Sequence, residues 1–280
     1  MNKIYRLVFS RRLGSLVVAS EVAKSCGKRG GSGLAQAVVS LLVLTGTFTP
    51  DAYGFTTPVT SATVTGEVVS SGTQSILIGG IAIGTWVFHG GIQNISSGGI
   101  ASATTISALG RQNVSGGGSA ISTTISSGGT QAVGSGGIAI SATISSVGNQ
   151  NISSGGIASA TTLSSGAIQR LYLGGSAIST TISGGIQAVS SGGSAISTTI
   201  SFGGNQSVYA GASVSATTLS SGGSQTLLRG AIVSGLTIND GGTQAVSSGG
   251  SAISATISSG GTQAVSSGGI ASATTVNDGG

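Results

Sequence analysis

The chain has 280 residues, 52 of them glycine, with 4% aromatic and 5% charged residues, a mixture that excludes an ordinary globular core. The formal charge is +5, yet Lys3, Arg6, Arg11, Arg12, Lys24, Lys28 and Arg29 all lie before residue 30. After residue 54, Arg111, Arg170 and Arg229 balance Glu67, Asp240 and Asp278, so no basic stripe is left to neutralise phosphates and a nucleic-acid partner is excluded.

The first predicted element is an export peptide. Residues 1–33 are basic, and the eleven residues from Leu34 to Leu44 form an apolar run of secretory length, too short to span a bilayer. Ala52 and Gly54 supply small residues for a cut between Gly54 and Phe55. This order predicts an extended signal peptide over 1–54, followed by a lead-in or cap over 55–73. Cys26, the single cysteine, lies in the leader, so the exported part has neither a disulfide nor thiol chemistry.

From residue 74 the chain is periodic. Gln74, Gln93, Gln112, Gln131, Gln150, Gln169, Gln187, Gln206, Gln225, Gln244 and Gln263 follow at intervals of 19, except for 18 between Gln169 and Gln187. Such a period marks a solenoid. The short interval aligns with a missing residue in the Ser-Gly turn around Ser183 and Gly184, where a deletion is absorbed most easily. The second place after each Gln is a branched aliphatic in all eleven units, from Ile76 to Val265, and so is the thirteenth, from Val87 to Val276. Alternation of this kind predicts strands with one buried face.

Two Gly-rich corners per unit, such as Gly128-Gly129 and Gly136-Gly137, turn the chain between strands. The fold expected over 74–280 is an all-β, right-handed parallel β-helix of about eleven 19-residue rungs. Isoleucines at the seventh or ninth place, such as Ile100, Ile121, Ile138, Ile157 and Ile178, share parity with the thirteenth and are expected inside. Gln shares parity with the aliphatic two places on, which predicts an interior ladder of paired amides. Trp86, Phe88 and Tyr53 are expected to cap the first coil.

The expected outward face carries the functional candidates. Twelve places after Gln stand Thr105, Thr124, Thr143, Thr162, Thr181, Thr199, Thr218, Thr237, Thr256 and Thr275, broken only by Trp86, with small Ala or Ser at most of the eighth and tenth places. Strand preference alone accounts for threonine as readily as a binding role does. Catalysis is not expected: Glu67, Asp240 and Asp278 fall in separate coils, His89 is alone, and the serines have no evident base. Asn239-Asp240-Gly241-Gly242 and Asn277-Asp278-Gly279-Gly280 read as turns, since one acid per turn is too little for a calcium shell. Neither a metal nor a cofactor is expected.

Met1-Asn2-Lys3-Ile4-Tyr5-Arg6-Leu7-Val8-Phe9-Ser10, followed by Val18-Ala19-Ser20-Glu21-Val22-Ala23-Lys24, resembles the extended signal peptide of large type V secreted proteins of Gram-negative bacteria, with Phe9-Ser10 where Trp-Asn is commoner. The repeats, of the form Ser-Ser-Gly-Gly-x-Ala-Ile-Ser-Thr-Thr-Ile-Ser-Ser-Gly-Gly-Thr-Gln-Ala-Val, resemble the passengers of AIDA-type adhesins and self-associating autotransporters. The resemblance implies display at the outer membrane, attachment to host or abiotic surfaces, self-association with like passengers on neighbouring cells, and biofilm formation. It also implies decoration by a heptosyltransferase, for which the outward Ser and Thr rows are the expected acceptors.

The sequence stops within a repeat at Gly280 without the outer-membrane barrel of that family, which would need well over ~100 further residues, so it reads as a fragment or truncated frame. A rival reading is an ice-binding solenoid that uses the threonine ladder, and a third is an inert spacer.

Overall fold

The computed structural model describes residues 58–280 together with the strands Tyr5–Ser10 and Ser15–Ser20. The chain divides into two units, Met1–Phe48 and Thr49–Gly280. In the first, the two strands pair antiparallel with Tyr5 opposite Ser20 and Ser10 opposite Ser15. The apolar export run, Tyr53 and the cut between Gly54 and Phe55 lie outside the described residues.

Every regular element of the second unit is a strand of two to four residues, and each coil contributes one to each of three parallel sheets. One coil shows how the sequence does this. Thr130–Val133 alternates, with Gln131 and Val133 buried and Thr130 and Ala132 partly exposed. A corner at residues 134–137 leads to Ile138–Ile140, where only Ala139 is buried. A second corner leads to Thr143–Ile144, with Thr143 outside and Ile144 inside. A third returns the chain to Asn149–Ile152, directly above Thr130–Val133. The three walls are here called the glutamine, alanine and threonine sheets, of 11, 12 and 12 strands. At ~4.8 Å per parallel strand, eleven coils extend about 50 Å.

Register is unbroken. Gln lies over Gln through the whole glutamine sheet, including Gln169 over Gln187 across the 18-residue interval. The short coil loses its residue from the turn at Gly184 and Gly185, between Thr181–Ser183 and Ile186–Val189. The strand pairing on both sides is kept. The coils begin ahead of the first glutamine, since Thr63–Thr65 and Val68–Val69 already belong to the alanine and threonine sheets.

The interior has three kinds of column. Ile76, Ile95, Val114, Val133 and their successors, with the alanines of the facing wall, form one apolar cluster. Val69, Val87, Ile106, Ile125, Ile144 and the rest of the thirteenth places form the other. Each branched side chain so buried contributes roughly 1.5–3 kcal/mol. The third column is polar: all ten steps between successive glutamines are joined by an Nε2 to Oε1 hydrogen bond of 2.6–2.8 Å. Gln74 through Gln244 are fully buried, so the expected amide ladder is present and saturates groups that would otherwise be costly to hide.

The isoleucines at the seventh and ninth places do not lie inside. Ile138 and Ile140 are each 38% exposed, while Ala139 between them is 1% exposed. The cause is the second corner, a single residue in the left-handed region such as Ser122 (φ 54°) or Ser141 (φ 56°). Two outward residues follow one another there, which shifts the alternation by one, so parity with the thirteenth place cannot be carried back across it. This corner has no Gly in most coils, and the two Gly-rich corners alone do not reveal it.

The paired glycines have different reasons. Gly136 has φ 75° and open space around a would-be Cβ, whereas a Cβ on Gly137 would run into the Val114 carbonyl oxygen one coil below. The first glycine serves a torsion and the second a close approach. Trp86 is 58% exposed on the outer side of the threonine sheet, paired between Val68 and Thr105, and therefore does not cap the stack. Phe88, half-buried, sets its ring edge-on to His89 at a centroid distance of 4.8 Å.

Candidate functional surface

The predicted threonine row is assembled by the two- and three-residue strands of the threonine sheet. Thr105 pairs with Thr124, Thr124 with Thr143, Thr143 with Thr162 and Thr162 with Thr181. The series continues through Thr199, Thr218, Thr237 and Thr256 to Thr275. Thr124, Thr143, Thr181, Thr199 and Thr275 are exposed, and Thr105, Thr162, Thr218, Thr237 and Thr256 are half-buried. Each row member has an inward aliphatic neighbour, as Thr143 has Ile144, which fixes the hydroxyl outward.

The small residues expected beside this row do not widen it into one flat wall. Those at the eighth place, Ala82, Ala101, Ala120, Ala139, Ala158, Ala177, Ala195 and Ala252, point into the core at 0–1% exposure. Those at the tenth are the corner residues themselves. A second threonine column, at the eleventh place, went unrecognised as a partner of the ladder. Thr104, Thr123, Thr161, Thr180, Thr198 and Thr217 are buried, and each hydroxyl donates to the Oε1 of the glutamine eleven places earlier at 3.2–3.5 Å. In Thr-Thr pairs such as Thr123-Thr124, then, the first serves the fold and the second faces solvent.

The other outward surface is the alanine sheet, where sequence parity pointed the wrong way. Ile138 and Ile157 and the third-position residues Ile83, Ile140, Ile178, Ile196 and Ile253 are 37–40% exposed, and Ile232 and Ile270 are 57% exposed. Register sets some beside serine and others beside one another: Ile138 pairs with Ser119 and Ile157, and Ile140 with Ile121 and Ser159. The result is two mixed columns of isoleucine and serine along the stack.

Charge is sparse. Among the described residues no three or more His, Cys, Asp or Glu side chains come together. Partial burial at the first coil pushes the Glu67 carboxyl above the ordinary carboxylate range.

Comparison with known proteins agrees with this architecture. Residues 1–49 match the family described as the extended signal peptide of the type V secretion system. Residues 227–280 match the family described as the adhesin of the bacterial autotransporter system, probable stalk. Among curated proteins there is no match. Among solved structures, the chain is similar to the crystal structure of a TibC-catalysed hyper-glycosylated TibA55-350 fragment, with 40% identity and a TM-score of 0.68 over 80% of this chain and 89% of that one. With a type V export peptide at its start, stalk repeats at its end and that likeness across the coils, the chain belongs to the AIDA-type autotransporter adhesin passengers, which are secreted to the surface of Gram-negative bacteria.

Proposed function

We propose that the displayed chain self-associates with like passengers on neighbouring cells and attaches to surfaces through its outward walls, building aggregates and biofilm without catalysis. The observation that carries this reading is the outer side of the alanine sheet, where isoleucines 37–57% exposed recur in two columns shared with serine. Exposed aliphatics that recur along one wall suit an interaction surface, and the short strands keep the wall regular enough to match a second one. In the test, cells display the chain on a carrier barrel. Ile138→Ser, Ile140→Ser and Ile157→Ser, combined, abolish clumping while the purified chain keeps its β circular dichroism and a cooperative melt. Undiminished clumping refutes the assignment of this wall.

The outward Ser and Thr rows are the acceptors for a glycosyltransferase in this reading, a heptosyltransferase being the expected partner. The support is the hyper-glycosylated state of the 40% identical TibA fragment, together with the outward threonines from Thr105 to Thr275. Mass spectrometry of the chain from its native host tests it. Sugar on peptides of these rows is expected, and unmodified peptides throughout discard it.

A further inference from the structure

On the outer side of the glutamine sheet, a run of asparagines is interrupted at Ala132. The outward column reads Asn94, Asn113, Ala132, Asn151 and Arg170 in register. Asn113 donates to Asn94 Oδ1 at 2.8 Å, but Ala132 puts no amide in the next coil to continue the run. Beside it, Gly134 stands where Ser115 and Ser153 stand in the coils below and above, so a second side chain is missing at the same level. The two small residues leave a hollow of about 330 Å³, bordered by Asn113, Ala132, Gly134, Asn151, Ser153 and Tyr172. Asn151 Oδ1 is buried at its edge without a hydrogen-bond partner. Tyr172, 40% exposed, offers part of its ring to the same space.

The geometry points to a binding site for a neutral pyranose, a site independent of the adhesive alanine-sheet wall. The volume lies at the small end of ligand sites, which run ~300–1,000 Å³. The lining has hydroxyls and amides that both donate and accept, as a polyhydroxylated ring requires, and an aromatic face to set against its C–H side. It has no charged side chain, which disfavours a phosphate or sulfate. A sugar hydroxyl donating to Asn151 Oδ1 would satisfy the one buried acceptor left open there. Arg111 and Arg170 flank the hollow without lining it, and Arg170 Nη1 is committed to Asn149 Oδ1 at 3.0 Å.

The test is saturation-transfer difference NMR on the full chain with the methyl glycosides of glucose, galactose and mannose as probes. Transfer to the ring protons of at least one is expected. It should fall at least fivefold in Gly134→Ser, which restores the side chain that both neighbouring coils carry and so keeps the fold, and likewise in Tyr172→Ala. Absence of transfer from all three probes, or transfer that both variants leave unchanged, overturns the assignment. So does binding confined to a sulfated probe, glucose 6-sulfate, and lost at high salt, which would assign the affinity to Arg111 and Arg170.

Discussion

The Thr123 hydroxyl donates to Gln112 Oε1 at 3.2 Å, joining two walls of one coil, while the same oxygen accepts Gln131 Nε2 from the next coil at 2.6 Å. Each glutamine oxygen thus ties its coil across and along the stack. Gln131→Leu removes the donor to Gln112 and the acceptor of Gln150, leaving buried amides open in both neighbours. A loss of roughly 2–5 kcal/mol is expected, at ~1–3 kcal/mol per orphaned group, read as a lower urea midpoint. Thr123→Val, which removes only the cross-coil bond, should cost about 1 kcal/mol. A Gln131→Leu chain as stable as the parent would show that the amides contribute nothing.

The two glycines of one corner separate torsion from contact. Gly136→Ala should cost about 1–2 kcal/mol, the penalty of the left-handed region, and Gly136→Asn less. Gly137→Ala pushes a methyl group against the Val114 carbonyl oxygen and should prevent that coil from closing, seen as fast amide exchange on both sides of it. Equal effects of the two alanine substitutions would contradict the division.

The reversed parity of the alanine sheet gives a paired test. Ile138→Ser removes an aliphatic that is 38% exposed and should cost about 1 kcal/mol. Ala139→Leu forces a larger group into a closed interior and should cost about 1–3 kcal/mol or more. Thermal melts of the two variants, compared under identical conditions, would expose the opposite order if the isoleucines were the inward set.

Glu67 sets the pH response of the first coil. Partial burial raises its carboxyl pKa in the folded chain, so the folded state binds the proton more tightly than the unfolded one. This contribution favours folding in acid and is lost as pH rises through the interval between the unfolded and the raised folded pKa. Glu67→Gln should therefore raise the melting temperature at pH 7 and leave it nearly unchanged at pH 3. A variant that is less stable at pH 7 would contradict the sign.

Much of the fold is legible because alternation inside a strand and recurrence between coils are both local to the sequence. Gln131 and Val133 declare their buried face within four residues, and the 19-residue spacing alone stacks Gln112 beneath them. What stays hidden depends on corners. Ser141 looks like any serine, yet its left-handed backbone decides whether Ala139 or Ile140 enters the core. The hollow beside Tyr172 is invisible for a related reason: Ala132 and Gly134 read as ordinary repeat variation until their coil is set between Asn113 and Asn151. The buried hydroxyls next to the outward threonines can be assigned only once the glutamine oxygens are located.

Because Gln meets Gln and Thr meets Thr at almost every junction, one coil is nearly as good a neighbour as another. A gene encoding such an array can gain or lose whole units by in-frame recombination between its own near-identical segments, and each product closes its seams as before. Reach from the cell is then an inherited variable that changes in steps of one turn, with no need for compensating substitutions elsewhere.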